Sequence, residues 1–316
     1  MITDRIDAVT RVPPERRVST PPCPRSVKIE LTGRCNFRCT FCATAKGLRP
    51  VGDMDRDFYR RLLAELRAAG VEEVGMFFLG ESMILPWLPE AIAEAKAAGF
   101  PYVFLTTNAS ASHPSKVKAC MAAGLDSLKF SMNWADAEQL ADVARVNPKI
   151  FDGMVENIIA ARRVRDEVEH ETGHRCGVYA SYIAYDGEQG KRMQALVDRV
   201  APHLDQVYTL PLYSQADLVG AEATAQGWTV RGGNPGRAGN MQPPVPCWSL
   251  FSEARVTWDG RLAACCFDHD GRFDMGDLTT TPFLEAWASA KFQALRAAHL
   301  TGDVRETACA SCVSYS

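Results

Sequence analysis

Long apolar runs are absent from this 316-residue chain. No stretch approaches the roughly 18 apolar residues that a bilayer span needs, and the opening MITDRIDAVTRVPPERR has no apolar centre of a secretory signal. The expectation is a soluble, cytoplasmic protein with no membrane partner. Surplus charge is lacking too: 35 Lys and Arg against 38 Asp and Glu leave a formal net charge of -3. That balance gives no basic footprint for a nucleic-acid partner. There is no internal repeat and no low-complexity tract, and the six histidines are not read as a mononuclear zinc centre. Disorder is excluded by composition, because 47% hydrophobic residues can bury a sizeable core.

What the chain has in excess is cysteine, eleven in all. In a reducing compartment, metal or redox chemistry is a better use for them than disulfides. Their distribution is uneven. Cys35, Cys39 and Cys42 crowd into GRCNFRCTFC; Cys247, Cys265, Cys266, Cys309 and Cys312 fall in the last 70 residues; Cys23, Cys120 and Cys176 are scattered. Two metal sites in two regions are expected.

Between the two groups, strand-like and helix-like segments alternate about six times. VKIELT, EEVGMFFL, PYVFLTT, DSLKFSMN, residues 177–185 and QVYTL read as strands. Residues 54–69, 87–98, 114–123 and 188–200 read as helices, three of them stopping at Gly70, Gly99 and Gly124. Such alternation argues for an α/β fold of parallel strands with right-handed crossovers, a partial or full β/α barrel. Its functional residues belong at the C-terminal strand ends, where the cysteine loop, GES, TTN and SMN all fall. Residues 1–25 are expected to form a loosely ordered arm, 26–210 the barrel, and 211–246 a linker or substrate-covering loop. Residues 247–316 then form a small unit, with a hairpin around Asp259-Gly260 and a helix over 282–299.

Thiolates are soft ligands suited to iron–sulfur clusters or zinc. Structural zinc takes four protein ligands. A cubane has four irons, so three cysteines leave one iron open to a small molecule. Cys35-x3-Cys39-x2-Cys42, with Phe41 before the last cysteine and a strand before the loop, resembles the radical S-adenosylmethionine (radical SAM) superfamily. The alternative is a zinc site that borrows a fourth ligand. Leu79-Gly80-Glu81-Ser82 is a partial match to the family's Gly-Gly-Glu motif, with Leu79 at the first glycine. The resemblance implies a (β/α)6 partial barrel, S-adenosylmethionine on a 4Fe–4S cluster, and an electron donor such as flavodoxin or ferredoxin. It also implies cofactor contacts at Phe41, Gly80, Glu81, Thr107, Asn108, Ser131 and Asn133, with Glu81 and nearby backbone on the methionine amine. Capping of strand ends is the plainer reading of Thr107, Asn108, Ser131 and Asn133.

Cys247, Cys265, Cys309 and Cys312 follow the spacing C-x17-C-x43-C-x2-C. This is similar to the twitch domain, a shortened SPASM domain, and implies a second, auxiliary 4Fe–4S cluster; a four-cysteine zinc ribbon shares the spacing logic. Cys266 is spare. If Cys265 is the ligand, alternation along a strand turns Cys266 to the other face, where it is either a small hydrophobe or a hydrogen-atom donor. Cys120 and Cys176 read as core, and Cys23 as inert. His269, Asp268 and Asp270 are candidate substrate contacts or solvated loop residues, and Trp248 is the best candidate among the tryptophans for a sugar platform.

The chain resembles two enzyme types of the superfamily, the epimerases of oligosaccharide antibiotics and 2-deoxy-scyllo-inosamine dehydrogenase. The reading adopted is an epimerase in antibiotic biosynthesis, acting on a sugar, aminocyclitol or oligosaccharide, with Cys266 as hydrogen donor. A dehydrogenase passing an electron to the auxiliary cluster stays open. So does a peptide maturase, although the few residues before the first strand leave no room for the peptide-docking domain that the resemblance would imply. A structural metal protein is the non-enzymatic alternative.

Overall fold

The computed structural model describes residues 1–185, 187–225, 227–237 and 240–313. Six parallel strands form the first part of the sheet: β1 (Ser26–Ile29), β2 (Glu73–Gly75), β3 (Tyr102–Thr107), β4 (Ser127–Ser131), β5 (Gly177–Ile183) and β6 (Gln206–Leu210). Each gap between them carries helix: α2 (Arg56–Ala68), α3 (Leu88–Ala97), α4 (Pro114–Ala122), the pair α5 (Ala137–Ala144) and α6 (Phe151–Thr172), then α7 (Glu188–Val200), with α1 (Ile2–Thr10) ahead of β1. Asp55 starts α2 because its carboxylate accepts from Asp57 and Phe58 N–H.

The carboxy-terminal strands do not make a separate sheet. β7 (Glu253–Val256) pairs in parallel with β1, and β8 (Arg261–Ala263) and β9 (Asp274–Asp277) follow antiparallel. The order is β6-β5-β4-β3-β2-β1-β7-β8-β9, so the first strand of the barrel is central. Beyond β6 lie α8 (Gly220–Ala225), and beyond β9 α9 (Phe283–Trp287), α10 (Ala290–Thr301) and α11 (Ala310–Val313). The helix expected over 282–299 is therefore broken in two, where the Ser289 side chain caps the second piece by accepting from Phe292 N–H.

Alternation explains the layering. On β1, Val27 and Ile29 are wholly buried against the helices, while Ser26 and Lys28 line the barrel interior. On β3, Val103 is wholly buried on the helix side, and Tyr102, Phe104 and Thr106 face the interior. An interior with this much polarity is a cavity, not a packed plug.

The amino-terminal segment, expected as a loosely ordered arm, is instead a docked helix. α1 lies over the N-terminal strand ends, with Arg5 on Glu73 and Asp7 on Arg237. Its arginines defeat the expectation, since Arg16 also donates to the carbonyls of Pro22, Cys23 and Phe251. Within 211–246, expected as a linker or substrate-covering loop, Tyr213 bridges Arg231, and its hydroxyl donates to Gly236 O at 2.6 Å.

Candidate active site

The three-cysteine loop leaves β1 and is clamped at both ends. Arg34 and Thr32 bond Asp53, and Arg38 and Thr40 N–H donate to Ala144 and Val143 O at the end of α5. Cys42 N–H donates to Cys39 O, and Ala43 N–H to Gln215 Oε1 at 2.9 Å. Burial pushes the thiols of Cys35, Cys39 and Cys42 up, Cys35 to about 11, and negative charge on neighbouring cysteines pushes Cys35 and Cys39 further. Three mutually repelling, desolvated thiolates need a positive partner among them, which fits a cluster of iron.

Gly80 and Glu81 are placed by this loop. A Cβ on Gly80 would stand 2.0 Å from Thr32 O and 2.8 Å from Arg34 O, so only glycine passes here. Gly80→Ala is expected to cost about 3 kcal/mol and to displace the cysteine loop; a lowered denaturation midpoint together with lost iron checks it, and an unchanged midpoint counts against it.

Glu81 is buried. Its carboxylate accepts from Met83 N–H, Thr107 Oγ1 at 2.8 Å and Asn108 N–H at 2.7 Å. Burial raises its pKa against those three donors. Its visible work is to stitch β2 to β3. Asn108 extends the stitch by donating to Asn36 Oδ1, inside the cysteine loop, at 2.9 Å. Asn133 Oδ1 accepts from Ile183 N–H and joins β4 to β5, and Ser131 sits half-buried beside Ser181. Phe41 packs against a small apolar group formed by Ile183, Tyr185, Leu212, Ala223 and Val230.

The carboxy-terminal cysteines converge as well. Cys247, Cys265, Cys309 and Cys312 are each pushed up, Cys309 to about 12, with burial and neighbouring cysteine charges as causes; in Cys265 the hydrogen bond with Cys266 comes first. Gly233 N–H donates to Cys312 Sγ at 3.0 Å. Among the described residues, no three His, Cys, Asp or Glu converge to hold a single metal ion. A cubane does not ask for that, since its thiolates bond separate irons.

Cys265 and Cys266 lie past the end of β8, in a turn, so strand alternation does not set their directions. Cys266 nonetheless differs from its neighbour: it lines the barrel cavity and Cys265 does not. Asn234 Nδ2 donates to its sulfur at 3.2 Å. Burial opposes its ionisation, but the bond with Cys265 and the charges of Arg255 and Lys28 pull its pKa down. The cavity holds about 320 Å3 and is closed at the N-terminal strand ends by α1. Trp248 lines it too, with its indole N–H on Asn234 O.

His269 is buried instead of solvated. Its Nδ1 lies 3.0 Å from Thr44 Oγ1, linking the two cysteine regions. Asp268 is buried behind it, while Asp270 is held by Arg272. The chain also contains His170-Glu171-Thr172-Gly173-His174, the spacing of a zinc-protease motif, which the reading of the histidines overlooked. It is not one here: α6 ends at Thr172, Gly173 turns left-handed at φ 73°, and His174 Nε2 bonds Leu125 O.

Burial lowers the pKa of His269 to about 3 and of His299 to about 4. The unfolded imidazoles protonate near pH 6.5, so between there and about pH 4 the unfolded chain binds more protons. Stability is therefore expected to fall as pH drops through that window. Denaturation midpoints from pH 7 to 4.5 check this, and a flat profile contradicts it.

The radical SAM superfamily profile matches residues 29–206, more than half of the chain. The chain belongs to the radical SAM superfamily. The SPASM profile, an iron-sulfur cluster-binding domain, matches residues 247–313. The cofactors of this radical SAM protein are S-adenosylmethionine and two 4Fe–4S clusters. BtrN, solved in complex with AdoMet and 2-DOIA, superposes with a TM-score of 0.59 at 14% identity, over 92% of this chain and 91% of that one. Streptococcus suis SuiB bound to S-adenosylmethionine gives 0.62 at 15%, over 86% and 68%. Sequence relatives include the GTP 3′,8-cyclase of Chlorobaculum tepidum, 32% identical over 38% of this chain, and a PqqA peptide cyclase of Xanthomonas campestris, 35% identical over 38%. The matched stretches span 36% and 31% of those two relatives' lengths. No helix among the described residues is long and apolar enough to cross a membrane.

Lys129, Gln215, Asn234 and Thr44 escaped the sequence reading. Only Lys129 carried a signal, a lone charge inside the otherwise apolar centre of DSLKFSMN.

Proposed function

We propose that this radical SAM enzyme inverts a carbon centre of a sugar-like small molecule bound in the barrel cavity, with Cys266 as the hydrogen-atom donor. The observation that carries the reading is the position of Cys266, in the auxiliary cysteine group but facing the cavity. Cys35, Cys39 and Cys42 would hold the first cluster; Cys247, Cys265, Cys309 and Cys312 the second. When bound, S-adenosylmethionine on the reduced first cluster would supply a 5′-deoxyadenosyl radical that removes a hydrogen atom from the substrate; the hydrogen atom given back by Cys266 would leave a thiyl radical, to be returned to S–H by one proton and one electron from the second cluster.

The chain's own residues then have distinct tasks. Glu81, Thr107, Asn108 and Asn36 lock the strand ends to the cysteine loop, so the cofactor's amine would meet backbone near Gly80 and not a free Glu81 carboxylate. Ser131 ends β4, Asn133 ties it to β5, and Phe41 backs the loop with apolar packing. α1 and the segment after β6 keep water from the cavity.

A cavity of about 320 Å3 suits a small molecule better than a folded-in peptide. The near-complete superposition on BtrN also supports a small substrate. That likeness equally keeps the dehydrogenase reading, in which a ketone forms and no cysteine donor is used. Turnover in D2O separates them: an epimer carrying solvent deuterium supports the proposal, and a ketone without it replaces the proposal by the dehydrogenase.

A further inference from the structure

The cations that line the barrel cavity are not all paired, and two of the carboxylates there are shared, Glu73 also with Arg25 and Glu253 also with Arg255. Three of the four cations that line the cavity have carboxylate partners: Arg5 with Glu73, Lys28 with Glu253 at 2.9 Å, and Arg237 with Asp7 at 2.7 Å. The fourth is Lys129, in the middle of β4, in register with Thr106 of β3 and Tyr179 of β5. Among the described residues it has no ion-pair partner. The Tyr208 ring lies 5.9 Å from its ammonium. An enclosed ammonium without a counter-charge is costly, and a chain that needed only shape here would place methionine or leucine. Burial brings its pKa down to about 8, which still leaves it charged at neutral pH.

Its depth fits a substrate more than the cofactor. Lys129 lies two residues before Ser131, so roughly 6–7 Å below the C-terminal mouth of the barrel. Cys266 opens into the same cavity. We infer that the cavity takes a substrate bearing an oxyanion, a carboxylate or a phosphate, which Lys129 holds so that the reacting carbon is presented toward Cys266. The inference rests on the sugar reading above and narrows it: an anionic sugar fits, whereas a cationic aminocyclitol would meet an unscreened positive charge.

The test uses the holoenzyme with both clusters loaded, as wild type, Lys129→Met and Lys129→Arg. Calorimetric titration with glucuronate, glucose 6-phosphate, glucose, acetate and inorganic phosphate reads the affinity. A charged sugar is expected to bind at least about tenfold tighter than glucose, Lys129→Met to remove that preference, and Lys129→Arg to keep most of it. Glucuronate alone winning identifies a carboxylate, glucose 6-phosphate alone a phosphate. S-adenosylmethionine should bind all three proteins equally. Lys129→Met should also raise the melting temperature by about 2 °C or more, since it removes an unpaired charge.

Equal binding of glucose and its charged relatives overturns the oxyanion site while leaving the sugar reading intact. Lys129-dependent binding of acetate or phosphate, with no gain from the sugar, supports the oxyanion site and removes the sugar reading. A loss of S-adenosylmethionine affinity in Lys129→Met, or a lowered melting temperature, would make Lys129 a cofactor contact or a structural residue and end the proposal.

Discussion

Cys266→Ala is expected to fold, load both clusters and still form 5′-deoxyadenosine, yet lose inverted product by on the order of 10³-fold or more. The sulfur faces the barrel cavity, with Asn234 as its side-chain donor and Trp248 in the same wall. Removing it leaves a carbon radical with no S–H on that side. Cys266→Ser should behave the same way, because an alcohol O–H does not give up its hydrogen atom as a thiol does. Wild-type enzyme in D2O should place deuterium at the inverted carbon, and neither variant should. Two results count against the assignment: full turnover by Cys266→Ala, or loss of the auxiliary iron in Cys266→Ala but not in Cys265→Ala. The second would exchange the roles of the neighbours, which a shared hydrogen bond in a turn leaves physically close.

Much of this site is legible in the chain because its chemistry is local. Three cysteines within eight residues, followed at strand ends by GES, TTN and SMN, need only the period of the β/α repeat to be brought to one edge. What the sequence hides is long-range. Gln215 reaches Ala43 N–H across 172 residues, and the Thr44–His269 contact spans 225. Nothing in local periodicity encodes either. The partners of Glu81 are hidden for the same reason. A carboxylate at a strand end looks free to meet an ammonium until Thr107 and Asn108 are seen to occupy it. The amino-terminal helix was missed because its partners, Glu73 and Arg237, lie 68 and 230 positions from the residues that bind them. Composition there suggests an arm, and tertiary charge pairing overrides it.

Iron counting gives the second large effect, and it is expected to be asymmetric in stability. The reconstituted wild type should carry about eight irons, and the triple variant Cys35→Ala, Cys39→Ala, Cys42→Ala about four. Cys309→Ala with Cys312→Ala should also leave about four, yet lower the melting temperature more. The reason lies in what else holds each loop. The first is anchored by Asp53, by α5 and by the Glu81–Asn108–Asn36 chain without any metal. The second depends more on its sulfurs: among the described residues, Cys312 on α11 is held by the N–H of Gly233 from the segment after β6. Where few other contacts order the chain, ligand binding becomes folding energy. Equal melting temperatures for the two variants would contradict this coupling. About four irons in the wild type, with zinc at Cys247, Cys265, Cys309 and Cys312, would remove the second cluster altogether, and with it the dehydrogenase route that needs an electron acceptor there.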